Sequence, residues 1–435
     1  MTWELDLILV FGAFIGLMMG GMWVPYSIAV TALAYLFAVQ GLPGLRAIGL
    51  VGWGSTNGFT LTAIPMFILM AEILLKSGLS QRVYRGLSQL VRRLPGGLLQ
   101  TNVAGCAMFA AISGSSVATA AAVGTTALPL LHKRGYDRKL AAGTLAAGGT
   151  LGILIPPSIA MIIYGTFTDT SIAKLFMAGI VPGLLLTAFF MLYVAAAALI
   201  KPSVAPRQKD WDKPTHWPTL TADLLPFAAL MFSVLGSLYF GFATPTEAAG
   251  VGSLMALIIS RVWGGLTFAD FRVALKSTVR ITGGIMFIVL AAFLFSYAVG
   301  MAGLANNLTK WLTGLGLGKF EFMLAVIIGY IIMGCLVDSI GMMVITIPLL
   351  YPILLAYGFD MVWFGVLLVV LIELGQITPP LGINLFVIQS ISVSGTLEDV
   401  LAGSLPFVVI IIGMILLLWA VPELATWLPA NMTLR

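Results

Sequence analysis

Gly152-Ile153-Leu154-Ile155-Pro156-Pro157-Ser158 and Gly375-Gln376-Ile377-Thr378-Pro379-Pro380-Leu381 each fall midway along a stretch otherwise long and apolar enough to cross a membrane. Two consecutive prolines donate no backbone hydrogen bonds, and each disfavours helix at the residue before it. Both spans must therefore break. A break releases carbonyls near Gly152, Ile155, Gly375 and Gln376, and it leaves half-helix ends whose partial charges point at the membrane midplane. A single proline in such a helix usually means only a kink. The same pair occurring twice points to a site for cations and anionic groups.

The two stretches belong to a longer repeat, at an offset of about 223 residues. Leu128-Pro129-Leu130-Leu131 aligns with Tyr351-Pro352-Ile353-Leu354, Gly135-Tyr136-Asp137 with Gly358-Phe359-Asp360, and Gly152, Pro156 and Pro157 with Gly375, Pro379 and Pro380, all without a gap. With a few residues of slippage the match reaches Pro25 against Pro245 and Pro182 against Pro406. The chain divides accordingly into a first repeat over 1–200, a linker over 201–220 and a second repeat over 221–435.

Hydrophobic residues make up 60% of the 435 positions and charged residues 9%, so the chain is a polytopic membrane protein with no room for an ordinary soluble domain. That composition, with the basic residues confined to short loops, argues against a nucleic-acid role. Met1 to Asp6 lacks a basic n-region, so the first apolar segment is expected to be retained. Cys106 and Cys335 are expected on opposite sides of the membrane, where they cannot pair.

Seventeen of the 22 Lys and Arg residues fall in three clusters, 76–139, 201–213 and 261–280, against five elsewhere. The positive-inside rule places those clusters in the cytoplasm, which puts the loop at Arg46 outside and its repeat partner at 261–280 inside. The repeats are therefore read as inverted. Basic residues flank the apolar stretch 101–131 on both sides, so it leaves and re-enters one face. At about thirty residues it is short for two spans of about 20 each, and it reads as a re-entrant hairpin with its tip at Ile112-Ser113-Gly114-Ser115-Ser116. The partner hairpin covers roughly 321–352, with its tip at Val337-Asp338-Ser339. Irregular backbone at membrane depth needs cover from protein or a water-filled cavity, so two such tips imply a central site. About ten spanning helices complete the count, and Ser80 to Leu94 reads as an interfacial arm helix that Gly86 weakens.

A carboxylate at membrane depth costs about 2.5 to 3.5 kcal/mol on insertion scales. Asp338 has no Lys or Arg assigned near it, so a metal cation or a proton must neutralise it. Ser113, Ser115, Ser339, Thr378 and freed carbonyls form an all-oxygen set that suits a hard ion such as Na+. Glu72, Glu247 and Glu373 read as structural acids or helix contacts. No Walker loop and no nucleophile paired with a base is present, which argues against an enzyme and leaves an ion gradient or a partner as the energy source.

The Ser113-Gly114-Ser115-Ser116 tip, the run GILIPPS at 152–158, the Asp338-Ser339 tip and the run GQITPPLG at 375–382 resemble the large membrane subunit of tripartite ATP-independent periplasmic (TRAP) transporters, over essentially the whole chain. The resemblance implies an all-α, inverted-repeat, elevator-type fold with two re-entrant hairpins and two broken helices, in the bacterial inner membrane. It implies Na+-coupled uptake of an organic acid delivered by a periplasmic substrate-binding protein, with a small four-helix membrane partner expected as a separate chain. Carried over by position, one Na+ site uses Ser113, Ser115 and carbonyls near Gly152, Ile155 and Pro157. The second uses Asp338, Thr378 and carbonyls near Gly375 and Leu381. Ser116, Thr150, Ser158 and Asn384 are the implied substrate contacts. A stand-alone Na+/dicarboxylate symporter of related architecture is the alternative.

Overall fold

The computed structural model describes residues 3–206, 216–334, 337–379, 382–392 and 395–432. Among them every regular element is helical and no strand occurs. Seven described stretches are long and apolar enough to cross a membrane: Phe59–Lys76, Arg138–Thr168, Ile172–Ile200, Trp217–Tyr239, Phe268–Met301, Ser339–Ala356 and Leu397–Ala420. This is fewer than the ten expected from sequence. Trp3–Met19 and Val24–Gln40 have 17 residues each, which at 1.5 Å per residue spans about 25 Å of a hydrocarbon layer about 30 Å thick.

Both diproline stretches interrupt their helices. Arg138–Leu154 stops and the chain resumes as Ile159–Thr168; Met361–Ile377 stops and resumes as Ile383–Ile391. The two hairpins are Leu98–Ser113 with Ser116–Lys133, and Lys319–Gly334 with Ser339–Ala356, each with arms of 16 and 18 residues. At about 24 to 27 Å the arms fall below the roughly 30 Å of a hydrocarbon layer, and of the four only Ser339–Ala356 is among the seven stretches long and apolar enough to cross.

Local chemistry recurs at the same 223-residue offset. Ser115 and Asp338 both sit at the N-cap of a second hairpin arm, accepting from the N–H of Ala118 (3.5 Å) and Gly341 (3.3 Å). Asp137 and Asp360 both cap a broken helix, each accepting from the N–H three residues on at 2.8 Å. Gly135 and Gly358 just before them both hold positive φ, 72° and 68°.

The first broken helix lies at the centre: its apolar window is 94% buried, against at most 56% for the other long spans. Small residues allow that depth. Gly143 meets Gly403 of Leu397–Ala420 backbone to backbone, in the most extensive helix contact of the molecule, while Gly148 lies on Cys106 and Gly149 on Ala120. Cys106 is a buried free thiol. The other cysteine, Cys335, lies outside the described residues, as do Pro380 and Leu381.

The arm helix runs over Leu79–Val91 and buries Leu79, Val83, Tyr84, Leu87 and Val91, while Leu90 and, just past its end, Leu94 are exposed. The helix runs unbroken through Gly86. A Cβ there would fall 2.9 Å from Leu224, so the glycine is what lets Trp217–Tyr239 approach. Asp223 of that helix, with its side chain fully buried, accepts from Arg82 Nε at 3.1 Å and from Arg85 Nη2 at 2.7 Å and Nε at 2.8 Å. Arg82 Nη1 also donates to the Trp263 carbonyl. Because the arginine side chains are 30% and 56% exposed and can rehydrate, Asp223→Asn is expected to cost only about 1 kcal/mol. It should show instead as faster tryptic cleavage between Arg82 and Arg93 in proteoliposomes; an unchanged cleavage rate would mean that the arm is held by its apolar face alone.

Candidate functional site

The lost backbone hydrogen bonds at each break are partly replaced by side chains. Pro157 has no N–H to offer Ile153, and the Ser158 hydroxyl donates to that carbonyl in its place at 2.6 Å while capping the N–H of Met161. At the second break the Thr378 hydroxyl donates to the Leu374 carbonyl at 2.6 Å, and the Thr378 N–H turns to Gly375 at 3.4 Å. Pro156 likewise gives nothing to the Gly152 carbonyl.

The first tip lies directly on the first break. Gly114 takes φ 57°, and a Cβ there would fall 2.9 Å from the Pro157 carbonyl oxygen. A Cβ on Gly152 would fall 2.5 Å from the Ser115 carbonyl oxygen and 2.7 Å from Thr119 Oγ1. The Ser113 hydroxyl shares a 2.6 Å hydrogen bond with Thr119 and donates to the Ser115 carbonyl at 3.1 Å. Ser113, Ser115, Gly152 and Pro157 thus converge on one spot, and Thr119 joins them. Ile155 lies in the same break, its side chain turned against Gly183. On the other side Gly375 touches Gly334 of the second hairpin backbone to backbone, where a Cβ on either would fall 2.5 to 2.7 Å from the partner's Cα.

Both tips open on one cavity of about 120 Å³. Its wall holds Ser113, Gly114 and Ser115 from the first tip, Ser339 and Ile340 from the second, Ile153 and Ile159 from either side of the first break, and Glu72. Asp338 is not among the residues lining the cavity; its carboxylate caps the N-terminus of Ser339–Ala356 next to the lining residue Ser339, with the N–H groups of Ile340 and Gly341 turned toward it. The helix end supplies roughly half a positive charge there, so the protein compensates part of the cost that the sequence left unmet. Glu72, read from sequence as a structural acid or a helix contact, hydrogen bonds to the Ser277 side chain of Phe268–Met301, which is a helix contact, and it also lines the cavity. A lone acid in an apolar helix marks a candidate, but only the packing shows which way it faces.

The remaining residues separate. Ser116 and Asn384 come together: Asn384 Nδ2 donates to Ser116 Oγ at 2.6 Å and to the Ala146 carbonyl at 3.1 Å, which links hairpin, second broken helix and first broken helix. The Asn384 Oδ1 atom is buried with no hydrogen-bond partner among the described residues. Thr150 is fully buried and donates to the Ala147 carbonyl of its own helix, and Ser158 is committed to the break. Neither hydroxyl lines the cavity. Leu381 lies outside the described residues. Glu373 is fully buried with neither carboxyl oxygen partnered among the described residues.

Residues 11–424 match the family model of the tripartite ATP-independent periplasmic transporter, DctM component. The chain belongs to the DctM family of TRAP transporter subunits. The C4-dicarboxylate TRAP transporter large permease protein DctM of Pseudomonas aeruginosa is 33% identical, with 88% of this chain and 90% of that protein covered. The protein of the same name from Rhodobacter capsulatus is 32% identical over 97% and 98% of the two chains. The DctM fold is shared with the Alcanivorax borkumensis YdaH transporter, whose crystal structure aligns with a TM-score of 0.63 at 16% identity over 90% of this chain and 91% of that one. DctM-family large permeases work with a small membrane subunit and a periplasmic binding protein, and in the isethionate permease DctMQ of Oleidesulfovibrio alaskensis this chain matches only 65% of the longer protein. The chain is a polytopic transport permease subunit.

Proposed function

We propose that this large permease couples Na+ to the uptake of an organic acid through the cavity between its two hairpin tips, in the bacterial inner membrane. The observation that carries this reading is the meeting of both tips in a single cavity, with Ser113 and Ser115 from one and Ser339, which follows the helix-capping Asp338, from the other. The donor set is oxygen only, which fits a hard monovalent cation. Ser113 Oγ, the Ser115 carbonyl and the Gly152 carbonyl would hold one ion beside the first tip. Asp338 with the Thr378 hydroxyl and the Gly375 carbonyl would hold a second. Cation charge at those two places turns the cavity from acidic to receptive, so that an anionic group can follow. Relatives named for C4-dicarboxylate, isethionate, 2,3-diketo-L-gulonate and sialic acid support the substrate class.

The pieces that carry the site move as one body in this reading, because Asn384 ties the first hairpin to both broken helices and Gly143 abuts Gly403. The remaining long helices form the scaffold it slides against. The test is uptake into proteoliposomes containing this chain and its small partner, with the binding protein and an inward Na+ gradient each added or withheld. Accumulation is expected only with both; equal uptake under a K+ gradient would exclude Na+ coupling.

A further inference from the structure

Glu373 has no part in the site described above, although it belongs to the helix that carries the second break. It lies fully buried in Met361–Ile377, two residues before the Gly375 that meets Gly334 and five before Thr378. Neither of its carboxyl oxygens has a hydrogen-bond partner among the described residues, and neither has the Oε1 atom of Gln376, which is also buried. Residues three apart are neighbours on one face of a helix, so the two groups share a face of the last turn before the break. In their ionised and amide forms they cannot help one another. A carboxylate oxygen and an amide oxygen both accept hydrogen bonds, and neither donates.

An ionised carboxylate at that depth needs a counter-charge or donors. The helices packed against Met361–Ile377 bring neither. Their charged residues all sit in first turns: Arg138 and Lys139, Lys174, Lys319 and Glu321, Glu398 and Asp399, and Glu423. None of Tyr164, Tyr193, Tyr330 and Tyr351 on those helices bonds to Glu373. A hard metal ion takes about six oxygen ligands, and the helix is unbroken to Ile377, so its backbone frees no carbonyl at the level of Glu373. A single proton satisfies both groups at once, because it makes Glu373 a neutral acid whose O–H donates to Gln376 Oε1. The repeat also holds a neutral side chain at this place. The gap-free alignment pairs Glu373 with Thr150, which is equally buried and whose hydroxyl donates to the Ala147 carbonyl at 2.8 Å. We propose that Glu373 and Gln376 bind one proton between them, and that this proton braces the last turn before the second break, so that pH sets how firmly Gly375 and Thr378 are held.

The folded chain then holds one proton more than the unfolded chain, in which Glu373 ionises like any glutamate above about pH 4.3. Stability is greatest at low pH and is lost as pH rises, by about tenfold in the folding equilibrium per pH unit. The test is the unfolding of the purified full chain from neutral detergent into SDS, followed by tryptophan fluorescence at about pH 6 and about pH 8. Glu373→Gln sets an amide donor against Gln376 with no proton to bind. Between the two pH values the unaltered chain should lose about a hundredfold more in its folding equilibrium than Glu373→Gln, since every other titrating group is common to both. Infrared spectra at neutral pH give a second reading. The C=O stretch of a protonated carboxylic acid should be present in the unaltered chain, missing from Glu373→Gln, and shifted in Gln376→Leu, where the acid keeps its proton and loses its acceptor. Parallel pH curves, or identical infrared spectra for the unaltered chain and Glu373→Gln, would overturn the proposal. So would failure of Glu373→Gln to fold, because an amide of the same size replaces a neutral acid with no charge to lose. Neither readout involves Na+ or substrate, so the result stands apart from Na+ coupling.

Discussion

Gly403→Leu is expected to leave almost no folded protein. Any Cβ at Gly403 overlaps the Lys139 carbonyl oxygen, and any Cβ at Gly143 overlaps the Gly403 carbonyl. Both neighbours are backbone of long helices, so neither yields by changing rotamer, and the two helices must part along their whole contact. Parting them opens the most buried element of the molecule, the first broken helix. A loss of roughly 4 kcal/mol or more follows, enough to remove the native state of a marginally stable protein. Gly413→Leu on the same helix is the control. A Cβ at Gly413 meets nothing within 4 Å, so this variant should give a wild-type monodisperse peak on size-exclusion chromatography in detergent. Normal elution of Gly403→Leu would show that the crossing is looser than the backbone contact implies.

Asp338→Asn is expected to fold normally and to cut Na+-driven uptake by about two orders of magnitude. Asparagine caps helices as well as aspartate does, so the hydrogen bond to the Gly341 N–H survives and the second tip keeps its shape. Only the charge is lost. If that charge holds a coupling ion, the Na+ concentration for half-maximal uptake should rise at least about tenfold, since each factor of ten reflects about 1.4 kcal/mol of lost cation binding. Ser115→Ala is the matching change in the other repeat. It removes a neutral cap and leaves the Ser115 carbonyl in place, so its effect on uptake should be smaller, about tenfold or less. Retention of full Na+ dependence by Asp338→Asn would reduce Asp338 to a helix cap.

The breaks were legible because proline chemistry is local: a residue without an N–H interrupts a helix whatever surrounds it, and Pro156, Pro157 and Pro379 do so here. The tips were legible for a similar reason, since Gly114 among serines disfavours helix on its own. What stayed hidden depends on direction. Nothing in the helix Ala63–Lys76 says that Glu72 looks into the cavity, and nothing in the run around Thr150 says that its hydroxyl turns back to Ala147. Gly86 was read for intrinsic helix preference alone, without the neighbour that needs the space. The equivalence of Ser115 and Asp338 lay within reach of the sequence. The 223-residue offset pairs them, and reading both as caps required only asking which residue starts the second arm of each hairpin.

The Asn384 amide reaches from the second half of the chain to Ser116 and Ala146 in the first, and Gly403 closes on Gly143 across the same divide. A ribosome has therefore released every residue of the leading half before the surfaces that complete it exist. Until the trailing half is threaded into the bilayer, the early segments wait with their small-residue grooves open to lipid.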